Sequence, residues 1–147
     1  MRKLIPAQVE KAADFAVTCE IIKGRASDMK EGIVFGWAYV LDRNGVQVVD
    51  HQNDTIAPEE LVKAAHDFMI NSRTAGVMHA RADGQPQKIG DVVESVVLTR
   101  GLQKALGINL PVAGWLIAMR LTDPEVRKLA AQGVLKSFSI GGRGKRV

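Results

Sequence analysis

The sequence predicts an α+β domain, built on a small, mostly antiparallel β-barrel or sheet. Three observations predict it. Apolar and alternating runs supply about six strands, two segments carry helix start signals, and strands and helices do not alternate as a parallel sheet requires. No internal repeat, linker or low-complexity stretch divides the 147 residues, so a single domain spanning 1–147 is expected.

Each element has its own reason. Residues 7–14 read as a short helix leading into the strand-like run "FAVTCEII". "SDMKEG" breaks that pattern, and "IVFGWAYVLD" reads as a buried strand interrupted by Gly36. Asn44-Gly45 stands between two β-prone runs, the strongest short hairpin signal. "APEELVKAAHDFMINSR" is the clearest helix. Pro58 suits its first turn, Glu59 and Glu60 suit the positive end of the dipole, and Leu61, Ala64, Ala65, Phe68 and Met69 make one apolar stripe. "GVMHA" reads as a short strand, "RADGQPQKIG" as a polar loop and "DVVESVVLT" as a strand. "RGLQKALGINLP" is a longer connection whose pattern does not choose between helix and loop. "VAGWLIAMR" is another buried strand, and "TDPEVRKLAAQG" is a helix with Asp123 as cap, Pro124 first and Gly133 as stop.

Composition excludes several classes. With 46% hydrophobic and 24% charged residues the chain is an ordinary globular one. Its net charge of +4 is mild, and only Arg143, Lys145 and Arg146 cluster, so a nucleic-acid partner is not expected. Cys19 is the one cysteine, which rules out an internal disulfide framework and suits a reducing compartment. No apolar run approaches the roughly 20 residues of a membrane helix. "MRKLIPAQVEKAADF" lacks the apolar stretch of a secretory signal. The expected setting is the cytosol, or a structure assembled there, with no membrane partner.

Chemistry is concentrated at the end, in "VLKSFSIGGRGKRV". A period of two puts Leu135, Ser137 and Ser139 on one face and Lys136, Phe138 and Ile140 on the other, so alternation does not choose between the hydroxyls. The glycines do. Gly141 and Gly142 allow a bend that turns successive N–H groups toward one point, as a developing oxyanion needs, an effect of about 3–4 kcal/mol per donor. Ser139 is the better-placed nucleophile; the bland alternative is a strand-end serine bonding local backbone.

A serine needs a base. His66 falls on the solvent side of its helix and reads as a surface residue. His51, in "VVDHQNDTI", is a loop histidine or a metal ligand beside Asp50 and Asp54. His79 ends "AGVMH", where packed strand gives way to polar loop, a position that fixes the backbone and leaves the ring reachable. The bland reading there is a satisfied strand-end histidine. There is no H-E-x-x-H, no zinc spacing of Cys and His, and "GGRGKR" is not a Walker loop. No cofactor or metal is expected.

"GWAYV", "VVDHQNDTIAPEELVKAAHDFM", "GVMH", "VVES", "DPEVRKLAAQG" and "FSIGG", in that order over about Gly36 to Gly142, resemble the XkdF-like phage serine proteases. These are related to the prohead (capsid maturation) proteases of tailed phages, which resemble the herpesvirus assemblins. The resemblance implies a small β-barrel flanked by helices, with His79 as base and Ser139 as nucleophile. It implies endopeptidase cleavage of scaffold and capsid proteins inside the immature head in the host cytoplasm, with self-processing and self-association. Assemblin-type enzymes orient the base with a second histidine after the serine. Here only "IGGRGKRV" follows, so the site is a dyad or takes its third member from upstream. Glu94 in "VVES" is the candidate, an acid among apolar neighbours that either has a partner or faces water on a half-exposed strand, with Asp91 and Asp50 in reserve.

In that mechanism Gly141 and Gly142 hold the oxyanion, aided by Arg143, and "RGLQKALGINLP" borders the substrate groove. The chain stops soon after its nucleophile strand, which suggests a trimmed or self-processed form of a longer product. Two other readings stand beside the peptidase: a non-catalytic capsid- or scaffold-associated module, and a metal-dependent hydrolase using Asp50, His51 and His79.

Overall fold

The computed structural model describes residues 2–6, 13–22, 26–49, 54–71, 74–80, 86–134 and 137–146, with side-chain surroundings at 21–22, 28, 30–49, 55–71 and 89–134. In chain order the elements are β1 (Arg2–Pro6), β2 (Ala13–Ile22), α1 (Ala26–Glu31), β3 (Ile33–Arg43), β4 (Val46–Gln47) and β5 (Asp54–Thr55). There follow α2 (Pro58–Asn71), β6 (Thr74–Ala80), β7 (Pro86–Leu98), α3 (Arg100–Leu106), β8 (Val112–Leu121), α4 (Pro124–Ala131) and β9 (Ser137–Arg146).

The α+β class and the mostly antiparallel sheet hold. The path runs β2-β3-β8-β7-β6-β9-β1-β5, antiparallel except for β1 with β5, and β4 folds back on β3. β9 pairs with β2 as well. The expected closed barrel is corrected: the sheet is not closed into a barrel, and beyond β9 it continues through β1 to β5.

The hairpin at Asn44-Gly45 forms because both residues take positive φ, 52° and 80°, as a two-residue turn between twisted strands requires. It aligns Asp42 with Gln47 and Arg43 with Val46. α2 buries Leu61, Ala65 and Phe68 of the expected stripe, while Ala64 and Met69 are half-buried. These residues join Val34, Ala38, Ile89, Val92, Val97, Trp115, Ile117, Met119 and Leu121 in one core. Phe68 meets Trp115 edge-on, ring centroids 5.4 Å apart, and the Trp115 indole N–H donates to Ser95 Oγ at 2.8 Å.

The ambiguous "RGLQKALGINLP" resolves into α3. Thr99 caps it by accepting from the Leu102 N–H at 3.1 Å, and Gly107 ends it at φ 70°. Gln103 is buried and clamps the helix to the sheet: Nε2 donates to the Leu98 and Val112 carbonyls, and Oε1 accepts from the Leu110 N–H. Arg100 donates from Nε to both Asp42 carboxylate oxygens at 3.2 Å and from Nη1 to the Leu110 carbonyl at 2.7 Å. The described side-chain bonds of α3 thus tie it to β3, to the ends of β7 and β8 and to the loop before β8.

α4 starts where Asp123 accepts from the Glu125 and Val126 N–H groups, and its stop, Gly133, takes φ 71°. Two boundaries differ from expectation. Of the helix read over 7–14, residues 7–12 lie outside the described residues and Ala13 already belongs to β2; the polar loop after His79 is cut short by β7, which starts at Pro86.

Candidate active site

β9 lies between β2 and β6, so the two strands that carry Ser139 and His79 are neighbours. Ser139 stands opposite Thr18 on one side and Gly76 on the other. One pair along on the same face, Ala16 stands opposite Gly141. Small residues, Thr18 and Gly76, therefore stand opposite Ser139 in the register.

His79 is three residues beyond Gly76, about 10 Å along a strand, on a backbone about 4.8 Å from that of β9. Plain alternation counted from Gly76 would put Met78, and not His79, on the face of Ser139. β6 is not plain there. From Val77 to Ala80 it takes three steps while β7 takes one, from Gln87 to Pro86, a surplus of two residues at the histidine. Such surpluses re-aim side chains and recur beside active sites.

The glycine pair is corrected. Gly141 and Gly142 do not end the strand in a turn; they lie inside β9, opposite Ala16 and Phe15. In a ladder successive peptide groups face opposite edges, so the two N–H groups do not converge on one point. At most one of them faces away from β2, toward β6. Arg143 stands opposite Asp14.

Glu94 is not beside His79. It is exposed, pairs with Ala118 on β8, and lies seven residues along β7 from Gln87, a run of about 23 Å. Asp91 pairs with Thr74 on β6 and with Arg120 on β8, four residues from Gln87, about 13 Å. Asp50 and His51 lie outside the described residues, and Asp54 opens β5 opposite Arg2. His66 is exposed on α2, as expected. Sequence reasoning read "FAVTCEII" as a strand but placed no site residue beside it, although the alternation of Ala16, Thr18 and Glu20 with Val17, Cys19 and Ile21 marks those three as one face.

Among the described residues no helix is long and apolar enough to cross a membrane. No solved structure matches the chain. The chain is similar to an uncharacterized protein, YqbD, of Bacillus subtilis (strain 168), with 26% identity over 138 residues. That similarity covers 94% of this chain and 39% of the relative, so the chain spans about two fifths of the length of the curated relative it matches. A family model matches residues 17–147, from β2 through the whole of β9, and by that match the chain belongs to the phage family described as "Putative phage serine protease XkdF".

Proposed function

We propose that the chain is a serine endopeptidase in which Ser139 is the nucleophile and His79 the general base. The observation that carries this reading is the adjacency of β6 and β9, with glycine opposite the serine. His79 takes the Ser139 proton as Oγ attacks the scissile carbonyl carbon. An N–H on the edge of β9 away from β2 receives the oxyanion. The C–N bond breaks, His79 returns the proton to the leaving amine, and an acyl-enzyme ester remains. Water then attacks that ester with His79 again as base, freeing the acid product and the serine.

The substrates proposed are the scaffold and major capsid proteins of a phage head, cut inside the assembling prohead in the host cytoplasm, with cleavage of the enzyme itself and association between copies. Confinement in a shell raises effective concentration, so a modest catalyst suffices. A second reading, a non-catalytic module of the head, is favoured by the alternation that sets His79 off the face of Ser139.

Co-expression with the cognate scaffold protein decides between them. Wild type and Ser137→Ala cut the scaffold; Ser139→Ala and His79→Ala lose about 10⁴-fold or more, as expected for members of one catalytic unit. Equal cutting by Ser139→Ala overturns the peptidase assignment, and an uncut scaffold in every case supports the non-catalytic module.

A further inference from the structure

We propose that the cleft between the β3–β4 hairpin and the loop after α3 binds an extended segment of a partner protein that carries acidic and apolar side chains. The proposal stands whether or not the chain cuts peptides. Asn44 and Gly45 line one side of this open cleft, and Arg100, Asn109, Leu110 and Pro111 line the rest, with a volume of about 500 Å³. Its frame is fixed from within. The Asn44 N–H donates to the Pro111 carbonyl at 2.6 Å, joining hairpin to loop, and Gln103 Oε1 accepts from the Leu110 N–H at 2.8 Å. The Arg100 guanidinium is engaged with Asp42, Gln103 and the carbonyls of Leu110 and Pro111, so it braces the cleft. A site already ordered loses little freedom when a ligand arrives.

Three kinds of side chain define the ligand. Asn44 and Asn109 are exposed, and their amides make no hydrogen bond among the described residues. Each offers a donor and an acceptor, complementary to the N–H and C=O that an extended peptide presents and a helix keeps for itself. Val46, next to Gly45, is exposed on one side, and Leu106 and Ile108, just before Asn109, are exposed on the other. Scattered singly such residues need no explanation, but these flank one cleft. Arg43 and Lys104 are exposed and make no ion pair among the described residues. Residues 43–49 and 99–112 contain no Asp or Glu, and the neighbouring Asp42 is taken by Arg100. The uncompensated charge is therefore positive, which draws an acidic segment and repels a basic one. A nucleic acid would use the cations and leave the apolar rim uncovered.

Selection from a displayed library of random peptides on the full chain tests this. The recovered peptides are expected to be rich in carboxylates and branched apolar side chains. Synthesised with a fluorophore and followed by anisotropy, they are expected to bind about tenfold or more weakly to Ile108→Ser and to Lys104→Glu, with the melting temperature unchanged. Binding also weakens as salt is raised. If Ile108→Ser melts early, Val46→Ser on the opposite rim carries the test: about a tenfold loss supports the site and unchanged binding overturns it. A selection that recovers no peptide overturns the proposal, as do peptides that bind all three variants as tightly as wild type. Displacement of the peptides by a single-stranded DNA oligonucleotide overturns it in favour of a nucleic-acid site. Ser139→Ala is expected to bind the peptides as wild type does, which separates this site from the peptidase reading. Loss of binding there places the peptides on β9 and overturns the proposal.

Discussion

Asp42 shows how one side chain secures a corner of the sheet. The bond from the Arg100 guanidinium holds its carboxyl below the usual carboxylate range; partial burial opposes this and the Gly45 N–H assists. A group depressed on folding stabilises the protein fully above its unfolded value, near 3.9, and the contribution is lost as pH falls through the lower folded value. Asp42→Asn is expected to melt below wild type at pH 7, with the gap closing below about pH 4, which thermal denaturation across that range measures. The effect is modest because the Arg100 side chain is 38% exposed and screened by solvent. Single residues were unevenly legible in sequence. His66 declared itself by lying off the apolar stripe of its helix, whereas Ser139 was preferred to Ser137 on a glycine bend that β9 does not make. Glu94 left two readings open, and the structure favours the one on a half-exposed strand: it is exposed, and its neighbours Val93 and Val96 are 41% and 38% exposed. How far an acid lies from a histidine along a paired strand is a property of register, which local sequence does not contain.

At the scale of elements, β3 and β8 fit closely. β3 is irregular twice, between Trp37 and Tyr39 and between Val40 and Asp42, and there the β8 backbone approaches closely. A Cβ at Gly114 would run into the Tyr39 carbonyl oxygen. Gly114→Ala is expected to cost about 1–3 kcal/mol by forcing the strands apart, read as a drop of several degrees in melting temperature. α2, α4 and the Asn44-Gly45 hairpin were legible because their caps, stripes and turn residues are local. α3 was left ambiguous although Thr99 and Gly107 are local start and stop signals; what the local pattern lacks is an apolar stripe, because Arg100 and the buried Gln103 hold the helix by polar bonds. Gly141-Gly142 was misread for the converse reason. Two glycines favour a bend, but pairing with β2 on one side holds them extended.

At the scale of the whole molecule, both the core and the candidate site depend on contacts distant in sequence, and those of the site are the more distant. The core pairs β3 with β8, from Ile33 with Arg120 to Arg43 with Val112, whereas the pairs of β2 with β9 tie Glu20 to Ser137 and Ala13 to Gly144. Loop-closure entropy must be overcome before those distant pairs repay it, so they form late. Refolding followed by Trp115 fluorescence is expected to precede the return of scaffold cutting; simultaneous recovery would contradict this order. On the peptidase reading, a chain in which β2 and β9 have yet to pair would not cut, so competence would arrive with the pairing of strands that lie far apart in sequence.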